Sequence, residues 1–154
     1  MQKIKSLVIS ILETTIGILL MVMVAVTFAQ VFCRYLLGFS LTWSHELVIL
    51  VLIWTVWLSI PIGLDRFGHL TVTFFFDHNS RLGKFRLVWL HSTLALLFFG
   101  LVFFLSFPLV EAFEGMSLLS IPIPINARYY AAMVGSLLSV CVLSVQLMQL
   151  FKGE

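Results

Sequence analysis

Leu87–Val110, LVWLHSTLALLFFGLVFFLSFPLV, runs for 24 residues without an Asp, Glu, Lys or Arg. A helix of that length covers roughly 36 Å at about 1.5 Å per residue, enough to cross a hydrocarbon core of about 30 Å. Three further uncharged stretches accompany it: Thr14–Cys33, Leu47–Leu64 and Tyr129–Phe151, of 20, 18 and 23 residues. Composition agrees, with 61% hydrophobic and 10% charged residues, where a soluble domain carries about 25% charged. Mean hydropathy is +1.12. The chain is predicted to be an all-α integral membrane protein, one membrane domain over residues 1–154 with four transmembrane helices.

Other classes fail on pattern. A membrane β-barrel needs alternating segments of about ten residues rather than continuous apolar runs. A cleaved signal peptide would suit Lys3 and Lys5 ahead of an apolar run, but that run is too long and lacks a small-x-small site before Arg34. The first span is therefore expected to be retained.

Orientation follows from the basic residues. Lys3, Lys5, Arg66, Arg81, Lys84, Arg86 and Lys152 fall on one side, and only Arg34 and Arg128 on the other. Cytoplasmic segments collect Lys and Arg, so both termini are predicted inside. The connection Asp65–Arg86 is then also inside, and Tyr35–His45 and Glu111–Arg128 are outside. Tyr35, Trp43, Trp89, Tyr129 and Tyr130 lie near span ends, where aromatic rings anchor at the interface. Trp54 and Trp57 lie deeper and are expected to pack. Cys33 and Cys141 sit at different depths, so no disulfide is expected between them. Leu70–Phe76 is too short to span and too apolar to be freely solvated. It is expected to lie along the inner surface as a short amphipathic helix, with Asn79 or Ser80 capping the third span.

Few residues suggest chemistry. A bis-His haem needs two imidazoles facing each other at one depth; of His45, His69, His78 and His91 only His69 and His91 could share a level, and His69 falls in an irregular segment. That argues against a membrane anchor of a redox complex. Glu13 stands at the mouth of the first span. A carboxylate there could serve a proton or cation, or simply reach the headgroups or a Lys partner. Gln30, Gln146 and Gln149 suit interhelical or headgroup hydrogen bonds. Arg34 and Glu46 bracket an eleven-residue turn and are expected to pair, clamping the first two helices, with Trp43 as anchor. Ala131, Gly135 and Ser139 form a small-residue stripe, suited to close helix packing either within the chain or against another subunit. No nucleotide-binding motif, catalytic triad, closed metal site or internal repeat is evident. Substrate-binding, catalytic and metal residues are not expected here.

Arg34-Tyr35, then Phe39-Ser40-Leu41-Thr42-Trp43-Ser44-His45-Glu46-Leu47, then Trp54, resembles the small membrane subunit of tripartite ATP-independent periplasmic (TRAP) transporters. Arg66-Phe67-Gly68-His69-Leu70-Thr71-Val72 resembles the signature after that family's second span. Ile121-Pro122-Ile123-Pro124 with Tyr129-Tyr130 resembles the segment leading into its fourth. Two positions depart from the pattern. His45 replaces the first acidic residue of a Glu-Glu pair, leaving Glu46 alone, and Thr73 replaces an acidic residue four after the signature His.

The resemblance implies an accessory subunit, not an enzyme, in a bacterial inner membrane. Its partners would be a large membrane subunit carrying substrate and sodium sites, and a periplasmic binding protein delivering an acidic solute such as a dicarboxylate or sialic acid. No cofactor and no nucleic acid are implied for this chain; the lipid bilayer is its other neighbour. Arg34, Tyr35, Trp43, Glu46, Arg66 and His69 would then contribute to the clamp or partner interface, and Glu111, Glu114 and Arg128 to periplasmic docking. The competing reading is a small multidrug-type homodimeric exporter using Glu13. That class would lack the long inner connection.

Overall fold

The structure is a computed structural model. It describes the backbone of residues 2–67 and 81–152, and the side chains of residues 7–66 and 89–148. Four helices account for nearly all of it: α1 (Gln2–Leu36), α2 (Thr42–Phe67), α3 (Arg81–Ala112) and α4 (Ala127–Lys152). Each contains a segment long and apolar enough to cross a membrane: Leu7–Leu36, Thr42–Arg66, Trp89–Ala112 and Ala127–Met148. The helices outrun the uncharged stretches because charged residues are tolerated in the end turns of a spanning helix, where long side chains can reach the interface. The proposed inner-surface segment Leu70–Phe76, together with His69 and His78, lies outside the described residues.

The helices pack in a row rather than a closed bundle. Among the described residues, α1 contacts α2, α2 contacts α4, and α4 contacts α3. The spatial order is therefore α1–α2–α4–α3. Short connections explain the two outer contacts, since five residues join α1 to α2 and fourteen join α3 to α4. Gly38, at φ +73°, ends α1, and Phe39 N–H donates back to the Cys33 carbonyl at 3.3 Å. Only glycine adopts that backbone readily.

The central α2–α4 contact is built from small residues. Ala131, Gly135, Ser139 and Leu143, four apart on α4, are all buried. A Cβ added to Gly135 would lie 2.6 Å from the Trp57 carbonyl oxygen and 2.8 Å from Trp57 Cβ. Pro61, fully buried one turn on, has no N–H to give that carbonyl its helical hydrogen bond. The backbone of α4 approaches α2 where α2 has given up a helical donor. Ser136 and Ser139 turn their hydroxyls onto their own helix, donating to Met133 O at 3.0 Å and Gly135 O at 2.8 Å. The contact is thus small and internally satisfied, which is what close helix packing in lipid requires. The small-residue stripe works within the chain. Cys33 and Cys141 are both free, as their depths required.

Candidate functional site: the polar ties at the two ends of the row

The described polar side chains that cross between elements gather at the two ends of the helices. At the end carrying the α1 N-terminus, the Arg66 guanidinium donates to the Glu13 carboxylate, joining α1 to α2. Both side chains are partly exposed. Gln146, 5% exposed on α4, donates from Nε2 to the Leu64 carbonyl at 3.0 Å. Leu64 is in the last turn of α2, where carbonyls lack helical donors, so Gln146 caps that helix from its neighbour. Glu13 thus has a basic partner, but an Arg of the second helix rather than a nearby Lys. Gln146 makes the interhelical bond its position suggested. Asp65, beside this cluster, is also engaged.

A shallow cleft of about 460 Å³ opens between α1 and α2 at this end. It is lined by Glu13, Ile16, Ser59, Ile62, Gly63 and Arg66.

At the opposite end, residues 113–126 fold into a compact hairpin. Gly115, at φ +82°, turns the chain away from α3. Leu118 N–H donates to Ile123 O and Ile125 N–H to Met116 O, both at 2.9 Å, around a bridge between Ser117 and Pro124. The Phe113 and Tyr129 rings stack at 5.0 Å across its base. Ile121-Pro122-Ile123-Pro124 is its returning arm. Leu118 is tucked underneath, while Leu119 at the tip is 99% exposed.

Glu46 fastens this hairpin to α2. Its Oε2 accepts from the Ser120 backbone N–H at 2.9 Å, across 74 residues of sequence. This corrects the expected Arg34–Glu46 pair. Arg34 is exposed in the last turn of α1 and forms no ion pair with Glu46. The hairpin brings a backbone donor onto the carboxylate, and a backbone N–H to a carboxylate is itself a charge-assisted hydrogen bond. Sequence spacing put Arg34 near Glu46 but carried no sign of Ser120. The apolar run Gly115–Ala127, rich in proline and without charge, was the one hint that this segment folds onto the protein.

The other named residues scatter around the same end. Tyr35 and Trp43 are exposed, and Trp54 and Trp57 are half-buried. Glu111, beside the hairpin, and Glu114, at its start, are exposed, and Arg128 is half-buried. Arg128 Nε and Asn126 Oδ1 are buried without a hydrogen-bond partner among the described residues. His45 and His91 are exposed. No cluster of three or more His, Cys, Asp or Glu able to hold a metal occurs among the described residues.

Four helices long and apolar enough to span, with polar ties gathered at the two ends of the row, fit a multi-pass membrane protein. The sequence profile of the DctQ component of tripartite ATP-independent periplasmic transporters matches residues 23–153, and the chain belongs to that family. No curated protein matches it. The chain is therefore a small membrane component of a TRAP transporter and not an enzyme. Through the family, its partners are a DctM component and a periplasmic binding protein.

Proposed function

We propose that this chain is the accessory subunit of a sodium-driven importer of an acidic solute, such as a dicarboxylate or sialic acid. It braces the large membrane component and contributes to the surface on which the binding protein docks. The observation that carries this reading is the open row α1–α2–α4–α3. A row has two broad faces, and the outer helices expose Leu, Phe and Val along most of their length. Such a layer, stiffened by the α2–α4 contact, has area to set against a larger membrane protein. Sodium and solute sites belong in this scheme to the partner, because the charged cleft at Glu13 and Arg66 is shallow and lies at one end of the row rather than at mid-span.

Both termini lie in the cytoplasm in this reading, on the strength of the basic bias. The hairpin, Arg34, Tyr35, Trp43, Glu46, Glu111, Glu114 and Arg128 then face the periplasm. Arg66 and His69 lie at the cytoplasmic side. Reporter fusions at Ser40, His78, Leu118 and Glu154 should be active outside, inside, outside and inside; periplasmic activity at Glu154 overturns the orientation.

The functional test is reconstituted uptake in liposomes with each component omitted in turn. Uptake should require all three components and a sodium gradient. Charge reversals Glu111→Lys, Glu114→Lys and Arg128→Glu should weaken the response to the binding protein more than they weaken membrane assembly. Transport by this chain alone, or full transport without it, defeats the proposal. The exporter reading is not favoured: Glu13, the carboxylate it would need, is tied to Arg66.

A further inference from the structure

The cleft between α1 and α2 has an ordered polarity. The two helices run antiparallel, so positions can be ranked by depth from the end at which Glu13 and Arg66 meet. Ile16 lies one turn deeper than Glu13 on α1. Ile62 and Gly63 lie about one turn deeper than Arg66 on α2, and Ser59 two turns deeper. Ser59 spends its hydroxyl on the Val56 carbonyl at 2.8 Å, so it asks nothing of an occupant. A Cβ added to Gly63 would meet no atom within 4 Å, which leaves the wall open there. The mouth is charged with both signs, and the floor is apolar. The side chains of Arg66 and Glu13 are 61% and 39% exposed, so the pair is accessible from the cleft's mouth.

That gradient matches an amphiphile standing along the helices. A guanidinium offers five N–H donors and a carboxylate has two acceptor oxygens, so one mutual hydrogen bond does not exhaust either group. A phosphate suits Arg66, and an ammonium with N–H donors suits Glu13. We propose that this cleft holds one phospholipid, its ammonium-bearing zwitterionic headgroup on the Glu13–Arg66 pair and an acyl chain along Ile16, Ile62 and Gly63. A trimethylated head cannot donate to Glu13, and a glycerol head carries no cation. The site therefore prefers phosphatidylethanolamine to phosphatidylcholine or phosphatidylglycerol. The proposal requires this end of the row to lie at a membrane surface, and does not depend on which solute the transporter moves.

The test is native mass spectrometry of the full chain in mild detergent, offered the three lipids in equal amounts with identical acyl chains. Phosphatidylethanolamine should be retained over the others by about threefold to tenfold, the scale of one charge-assisted hydrogen bond at a half-exposed site. Glu13→Gln should erase the preference over phosphatidylcholine, and Arg66→Gln should lower retention of all three. Gly63→Leu fills the cleft without touching either charge. It should reduce retention of every lipid while leaving the melting temperature unchanged, which separates lipid loss from misfolding. Equal retention of the three lipids by the unmodified chain overturns the proposal. So does a preference that survives Glu13→Gln, or unchanged retention in Gly63→Leu. Displacement of the lipid by soluble phosphoethanolamine would assign the site to a free headgroup and also overturn it.

Discussion

Helices α1 and α4 make an instructive pair. The apolar core of α1 has a mean hydropathy of 2.5 and none of it is buried, whereas that of α4 has 2.0 and 33% is buried. The less hydrophobic helix is the more enclosed. Nor does hydropathy separate α3 from α2: the values are nearly equal at 2.4 and 2.5, yet 6% is buried against 28%. In water, apolar surface drives burial. In lipid it does not, because acyl chains are as good a neighbour as a leucine. What selects the inner helices is small residues, a carbonyl released by Pro61, and polar side chains that would be costly against lipid. Gly135, Ser136, Ser139 and Gln146 are all on α4.

This contrast can be broken most directly with one methyl group. Gly135→Ala places a Cβ against the Trp57 carbonyl and should destabilise the chain by about 1–3 kcal/mol, as overpacking does. Gly100→Ala, on the outer helix α3 with nothing within 4 Å of the new Cβ, should be neutral within about 0.5 kcal/mol. Thermal unfolding in detergent reads both. Equal effects would mean that α4 does not approach α2 as closely as described.

A smaller effect should follow from the polar tie of the inner pair. Gln146→Leu removes the donor that caps α2 at Leu64 and should cost about 0.5–1.5 kcal/mol. Gln30→Leu, half-exposed on α1, should change the melting temperature little. If the two match, the Gln146 bond contributes nothing that a membrane-facing glutamine lacks.

Glu46 tests the tie between hairpin and helix. Glu46→Ala should loosen residues 116–125, raising their amide hydrogen exchange and speeding labelling of a Leu119→Cys variant, for a stability cost of roughly 1 kcal/mol. Arg34→Ala should act independently. A double-mutant cycle between the two should show coupling below about 0.5 kcal/mol, the scatter expected of sites that do not touch. Coupling well above that would restore the ion pair expected from the turn. Smallest of all on the chain itself should be Phe104→Ala. Phe104 is 72% exposed on α3, so its truncation should alter unfolding by under about 0.5 kcal/mol. Any loss it causes should appear instead in recovery of the DctM component on co-purification.

Four spans, their approximate limits and the helical class were legible in the chain alone, because crossing a bilayer demands about twenty uncharged residues and the sequence has four such runs. Family membership was legible too, in motifs such as Arg34-Tyr35 and Ser40-Leu41-Thr42-Trp43 whose order matters more than any one of them. The stripe at Ala131, Gly135 and Ser139 could be seen, but not what it packs against, since a small face suits a neighbour in the same chain or in another. Tertiary structure alone decided that neighbour, the order α1–α2–α4–α3, and the partners Glu46 takes at Ser120 and Glu13 at Arg66. The physical reason is common to all three. Hydropathy is a property of each segment and repeats almost unchanged across these helices, whereas neighbours are chosen by single atoms 53 to 82 residues apart, which no local pattern records.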